Sequence, residues 1–304
     1  MVSCPKHIDM QEGFILARQR AVERGAIPDE LRKIRRSILE TNNVYDVGRK
    51  ERVSWAADLE IPKSGKTLFF SSCYYTATED GRESLAMAVN LLRKMRVNIS
   101  YLYDGEPCCG APLHFYGFKK EFEEKVKMMS TMLKEKGVEE IITPSPTCAY
   151  TFKELYPKYA SEFNIRTKTM VEVISENIKA KEISLKTVGS QNVVFQDPTF
   201  LSRFLGIIEE PREILRSIPG VNVVEPKYYW GANTMSDGDM SADEEVSSKM
   251  AQARLRQLVA CDVKTIITAS ATDLQRLRKA AQTLGQGKIE IVDLIKFIGR
   301  ALVV

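Results

Sequence analysis

Six cysteines stand at positions 4, 73, 108, 109, 148 and 261, against only two histidines, His7 and His114. Scarce histidine argues against histidine-rich catalytic zinc, imidazole acid–base chemistry and a Ser-His-Asp triad. In a reducing compartment, clustered cysteines more often bind metal or carry redox chemistry than form structural disulfides. Thiolates are soft donors that select iron–sulfur clusters, zinc or Cu(I). The informative set is Cys73, Cys108-Cys109-Gly110 and Ser145-x-x-Cys148. Adjacent residues of an extended strand point to opposite faces, so two vicinal thiols reach one site only if the chain turns sharply. Gly110 directly after them permits that turn and a close backbone approach. Cys148 opens the stretch AYTFKELY, and a helix N-terminus favours the thiolate. Four thiolates can complete a cluster or a tetrahedral metal site. The plainer alternative leaves Cys73 and Cys148 as small buried hydrophobes. Cys261, in LVACDV, reads as core.

The elements that would position these thiols read as α/β. From Lys66 short apolar runs at 67–72, 99–103 and 139–143 alternate with helical stretches at 83–95, 119–136 and 148–160. Such alternation predicts βαβ units and a mainly parallel sheet. The rhythm restarts with strands at 193–196, 221–224 and 265–268 and helices near 211–217, 242–260 and 273–284. Ser241 and Glu244 read as a capping box. The halves read as one unit used twice. Their alignment sets Cys73 against Thr199, Cys108-Cys109-Gly110-Ala111 against Tyr229-Trp230-Gly231-Ala232, and Cys148 against Asp273. Each place follows a strand, at the edge where α/β sheets hold ligands. Before Lys66 the chain reads as helical. One helix ends at Gly25, and a second runs from Pro28-Asp29 through Leu31, Ile34 and Ile38 to Asn42-Asn43, with Arg32, Lys33, Arg35 and Arg36 as a solvated face.

Composition narrows the function classes. The chain has 304 residues, 44% of them hydrophobic and 28% charged, with a net charge of +4. That is globular composition with room for two domains, and the charge is too small and mixed to suggest nucleic acid. No apolar run approaches the ~18 residues that cross a bilayer, and MVSCPKHIDM lacks a signal-peptide core. The expectation is a cytoplasmic protein, peripheral to the membrane only through partners. No G-x-G-x-x-G follows a strand and there is no P-loop, so nucleotide binding has no support. The acidic stretch SDGDMSADEE lacks a calcium-loop register and reads as a loop entering a helix.

FSSC ending at Cys73, PCCGAP at 107–112 and TPSPTC ending at Cys148 resemble the first copy of the CCG (cysteine-rich) domain family, together with QDPTFLSRFLGIIEEPREILRSIPGVNVVE at 196–225, which resembles the second. That family includes the B and D subunits of heterodisulfide reductase and the iron–sulfur subunits of glycolate oxidase and anaerobic glycerol-3-phosphate dehydrogenase. The resemblance implies two tandem pseudo-symmetric α/β CCG domains behind a helical N-terminal segment. The segments are 1–62, a relic of a ferredoxin-type module; 63–188, cluster-binding; and 189–304, with its cysteine ligands lost. It implies that Cys73, Cys108, Cys109 and Cys148 hold a [4Fe–4S] cluster, cubane or non-cubane, with zinc as the alternative. Ser145 stands where the family has a further cysteine, and reads as a solvated or capping residue ahead of an oxygen ligand. In the second copy Thr199, Tyr229, Trp230, Ser270 and Asp273 replace thiols. Thr272 or Asp273 then reads as a helix cap, and Tyr229-Trp230 as apolar bulk filling the vacated space. Cys4-Pro5 resembles the end of a ferredoxin motif, implying either an upstream cluster-binding segment or a lost one. The implied function is an iron–sulfur electron-transfer subunit of a heterodisulfide-reductase-like complex, with flavoprotein and ferredoxin-type or other redox partners. The alternatives are a thiol–disulfide reductase subunit acting at the cluster, and a non-redox zinc-binding or metal-free assembly subunit.

Overall fold

The apolar run after Lys66 forms strand β1 (Thr67–Phe69), and EIIT forms β2 (Glu140–Thr143). A computed structural model describes residues 10–45, 47–236 and 243–302. Two compact units divide the chain. The first takes its described residues from Met1–Arg82, Ile99–Thr143 and Thr147–Thr167, the second from Glu83–Asn98, Pro144–Pro146 and Lys168–Val304.

In the first unit β1 and β2 pair in parallel, Leu68 opposite Ile141 and Phe69 opposite Ile142. Each strand buries adjacent apolar residues, Leu68-Phe69 and Ile141-Ile142, as strands covered on both faces do. β3 (Arg166–Thr169) lies next to β2 in the same sheet. The strand expected over 99–103 shrinks to one bridge. Ser100 N–H donates to Thr67 at 2.8 Å and Phe69 N–H donates to Ser100 at 2.8 Å. Beyond it the chain curls into a 3₁₀ turn at Tyr103–Gly105, with Tyr103 at φ 54°, and leaves the ladder. Helix Lys119–Glu135 buries Phe122, Val126, Met129 and Leu133, spaced by four and three residues as one helical face requires. At roughly 1.5–3 kcal/mol per buried side chain, that face alone anchors the helix.

The expected helix at 148–160 is broken into Pro146–Tyr150, a π-helical turn Thr151–Leu155 and Tyr156–Tyr159. Pro157 accounts for the widening: it has no N–H to give to the Lys153 carbonyl and its ring crowds that oxygen. The N-terminal helices Met10–Glu23, Asp29–Thr41 and Arg49–Val53 belong to this unit. Arg18 Nη1 donates to the Phe115 carbonyl at 2.7 Å. Arg35, expected on a solvated face, instead bonds Glu121 at 2.6 Å and lies over the Phe118 ring. The first helix ends at Gly25, whose φ of +72° is the left-handed geometry expected there.

The second unit holds a four-stranded sheet in the order β5 (Val221–Val224), β4 (Gln191–Gln196), β6 (Thr265–Thr268), β7 (Glu290–Asp293), parallel throughout. Val194 and Ile266 of the sheet pack with Leu255 and Leu258 of helix Glu244–Val259 and with Leu274 and Leu277 of helix Ala271–Thr283. The half-buried Cys261 packs at the rim of this core. Helix Glu244–Val259 is capped by Asp243, whose carboxylate accepts the Val246 N–H at 2.9 Å. Ser241 and most of the acidic stretch before it lie outside the described residues. Helix Ala271–Thr283 is capped by Ser270, not by Thr272 or Asp273. Its first helical residue is Ala271, so the extended Ser270 is the one whose side chain reaches the Asp273 N–H. The chain is thus α/β with parallel sheets.

Candidate metal centre

Cys73 opens a short helix, Cys73–Thr76, just past β1. Cys148 lies in helix Pro146–Tyr150, just past β2. Between them, Cys108 and Cys109 precede Gly110, whose φ of +84° makes the sharp turn and starts helix Ala111–Phe115. A Cβ on Gly110 would lie 3.0 Å from the Lys125 stem and 3.2 Å from the Phe122 ring. Glycine is needed there for both conformation and space.

These loops bring all four sulfurs together. Cys73 Sγ lies 3.9 Å from Cys108 Sγ, and Cys148 Sγ lies 3.3 Å from Cys109 Sγ. Cys108 accepts hydrogen bonds from its neighbours Cys109 and Cys73 and from the Gly110 N–H, and these hold its pKa well below the ordinary thiol value. Cys73 is pushed the other way by its bond to Cys108 and then by burial, and Cys109 by its bonds to Cys108 and Cys148. Of these three thiols, Cys108 is therefore the readiest to ionise. Each of these four cysteines is 0–3% exposed.

Several supporting residues carry no sequence signal. Ser72 Oγ lies 3.3 Å from Cys148 Sγ. Tyr156 donates its hydroxyl to the Cys109 carbonyl at 2.8 Å. Burial lowers the pKa of Lys125, while the neighbouring Cys108 and Cys109 draw it back up. Its ammonium donates to Asn42 Oδ1 at 2.8 Å. Glu106 is 2% exposed, and burial lifts its pKa to about 7 against the opposing bonds from Ser71 and Ser72 and the charge of Arg52. GEPCCG shows an acid near the cysteines but not that it turns inward.

The donor set fits a soft metal or an iron–sulfur group: four buried sulfurs in contact and a cation at hand. Among the described residues no group of three or more His, Cys, Asp or Glu is arranged so that it could hold a metal ion as it stands. The thiols form a hydrogen-bonded chain and must open to surround a centre. Cys4 lies outside the described residues. Ser145 is 3% exposed, so it is buried and not solvated.

The second unit has other chemistry at its strand ends. Tyr229 and Trp230, expected as buried fill, are 47% and 40% exposed. The interior is occupied by charge instead. Arg212 holds both oxygens of Asp197 at 2.8 and 2.9 Å and both of Glu225 at 2.7 and 3.0 Å. Arg254 bonds Gln196 at 2.6 Å, and Gln196 bonds Asp273 at 3.1 Å. The Trp230 ring is left to stack outside on the Arg212 guanidinium at 5.1 Å. Thr199, Ser270 and Asp273 stand at the strand ends, Ser270 and Asp273 buried and Thr199 partly so.

The family model of the cysteine-rich domain, CCG, matches residues 67–153. The chain is 26% identical to the B subunit of fumarate reductase (CoM/CoB) of Methanothermobacter marburgensis over 98% of its own length and 59% of that protein. It is 24% identical to the D subunit of dihydromethanophenazine:CoB–CoM heterodisulfide reductase of Methanosarcina acetivorans, over 86% of this chain and 65% of that one. It is also 24% identical to the probable iron–sulfur-binding oxidoreductase FadF of Bacillus subtilis, over 98% and 44%. The chain thus spans about half to two thirds of these relatives. Among solved structures, glutamate racemase RacE1 of Bacillus anthracis aligns over 78% of this chain and 79% of that one at a TM-score of 0.32 and 14% identity, a likeness too slight to bear on fold or function. No helix among the described residues is long and apolar enough to cross a membrane. With its four sulfurs gathered at the turn of a Cys-Cys-Gly, the segment 67–153 matches the CCG cysteine-rich domain, in a chain similar over most of its length to the D subunit of heterodisulfide reductase and the B subunit of fumarate reductase.

Proposed function

We propose that this chain is an iron–sulfur electron-transfer subunit of a heterodisulfide-reductase-like oxidoreductase complex, with Cys73, Cys108, Cys109 and Cys148 as its ligands. The observation that carries this reading is the convergence of these four buried thiols, the pairs Cys73–Cys108 and Cys109–Cys148 lying 3.9 and 3.3 Å apart. When bound, an iron–sulfur group of the [4Fe–4S] kind would supply one-electron chemistry. The chain's own residues then provide the rest. Cys108 offers a ready thiolate, Gly110 admits the group closely, and Lys125 sets a cation beside it.

Burial of every sulfur favours passing electrons over direct attack on a substrate disulfide, which needs an open path. The natural partners are a flavoprotein and a ferredoxin-type or other redox subunit, in the cytoplasm. The second half is read as a copy of the first that has lost its cysteine ligands, over 189–304 against 63–188, so one centre per chain is the expectation. Zinc is the second reading, favoured by the Cys73–Cys108 spacing of 3.9 Å. A tetrahedron with bonds of ~2.3 Å has sulfur–sulfur edges of about 3.8 Å.

Anaerobic purification decides between them. The chain should carry iron and acid-labile sulfide and give a cluster EPR signal on reduction, and Cys109→Ala should lose both. Zinc without iron would refute the proposal. An EPR signal that shifts on adding a disulfide would favour catalysis at the cluster over relay.

A further inference from the structure

Ser71 and Ser72 lead into Cys73 through an uncommon backbone. Ser72 sits at φ 71° and ψ 137°, a region that side-chain-bearing residues avoid. What holds it there is a carboxylate from the other cysteine loop. Glu106 accepts the Ser71 N–H at 2.8 Å and the Ser71 hydroxyl at 2.7 Å, and the Ser72 N–H at 3.1 Å. The backbone carbonyl of Glu106 is fixed in turn by Arg52 Nη2 at 2.6 Å. All four residues are buried.

We propose that Glu106 is a positioning residue that staples the Cys73 loop to the Cys108-Cys109 loop and sets the spacing of the thiols. The strained turn it secures aims two groups at once. The Cys73 sulfur is directed at Cys108, and the Ser72 hydroxyl is directed at Cys148 while also accepting the Tyr74 N–H at 3.3 Å. Without the carboxylate, the Ser71 and Ser72 amides lose their shared acceptor and the turn relaxes toward ordinary backbone. Cys73 then swings away from Cys108. This rests on the four cysteines forming a thiolate centre, but not on that centre being iron–sulfur. Partners that orient metal ligands in this indirect way are typically worth about 10–100-fold in metal affinity.

The test titrates Co²⁺ into the reduced, metal-free full-length chain and follows the thiolate-to-cobalt absorption. Glu106→Ala should weaken Co²⁺ binding by about 10–100-fold and alter the charge-transfer bands. Glu106→Gln keeps the shape but turns a donor toward the Ser71 or Ser72 amide; it should lie between alanine and wild type, and it remains informative if the alanine variant misfolds. Wild-type affinity and an unchanged spectrum in both variants would overturn the staple, even if their melting temperatures fell. A wild-type chain that binds no Co²⁺ would overturn it as well. Iron analysis of the wild-type chain as purified anaerobically, before any metal is stripped, is independent, so Co²⁺ binding without native iron would fail the electron-transfer reading and leave the staple standing.

Discussion

Replacing Arg212 with methionine removes one charge from a buried set and keeps most of the volume. Asp197 is fully buried and loses its two guanidinium bonds at 2.8 and 2.9 Å, retaining the Gly231 N–H at 2.7 Å. The Glu225 side chain is 26% exposed and can turn back to water. Burial alone would lower the Arg212 pKa, but the bonds and charges of Asp197 and Glu225 outweigh it and keep the guanidinium protonated. The loss is therefore dominated by one stranded carboxylate. Breaking such a buried pair costs ~3–5 kcal/mol, whereas replacing both members by apolar groups is often nearly neutral.

Trp230 stacks on Arg212, and the only other tryptophan is Trp55, so a Trp55→Phe background makes fluorescence report on this network alone. Urea unfolding in that background should show Arg212→Met less stable by ~3–5 kcal/mol. Adding Asp197→Leu should recover a large part of it, with a coupling of at least ~1.5 kcal/mol between the two sites. A single-variant loss below about 1 kcal/mol, or strictly additive losses, would refute the idea that these charges are held only by one another.

Two further outcomes follow from the first unit. Burial, then the nearby Lys158 charge, lowers the His114 pKa from 6.5 to about 4, so the unfolded chain binds more protons between those values. The share of stability resting on His114 should be full above pH 6.5 and fall by roughly 3 kcal/mol as pH drops to 4. It is read as the difference between wild type and variant, because Glu106, lifted to about 7, shifts stability the opposite way over the same range. A His114→Gln variant whose urea midpoint shows the same pH slope as wild type would exclude this origin. Lys125→Met should lower the midpoint potential of the iron–sulfur-loaded chain by roughly 50–100 mV, since a buried cation favours the more negative reduced state. A redox titration showing no change, or a rise, would contradict it.

The thiols and their turn were legible in sequence because they depend on residue type. Two adjacent cysteines of an extended chain can share a site only where the chain turns sharply, and Gly110 takes a φ of +84° that makes such a turn. The parallel strands were legible wherever a run was unbroken and apolar, as in EIIT and VVFQ. β3 was not, because RTKT has no apolar residue and buries two threonines instead. Nor could periodicity show that Pro157 would widen a helix through the preceding turn. The least legible features were charged residues turned inward. Glu106, Arg212 and Arg254 look like surface residues in sequence, and only their partners make burial tolerable. Placing Tyr229 and Trp230 inside failed for the same reason, since the guanidinium network already fills the interior.

That difference in charge bears on what each unit needs. In the second, Arg212 and Arg254 are matched by Asp197, Glu225 and Asp273 within one hydrogen-bonded set. Most of these charged groups meet a partner inside the protein, Arg212 with both oxygens of Asp197 and of Glu225. In the first, Arg52 offsets Glu106, and Lys125 stands as a cation beside Cys108 and Cys109. One thiolate, Cys108, can be carried by that lysine and by its neighbours' S–H bonds. Cys73 and Cys109 hold their protons through their bonds to neighbouring thiols and then through burial, and each further ionisation would add negative charge to a dry pocket. Only a multivalent cationic group could draw all four protons off. The same burial that suppresses thiol reactivity in the metal-free chain thus becomes the driving force for capturing a metal.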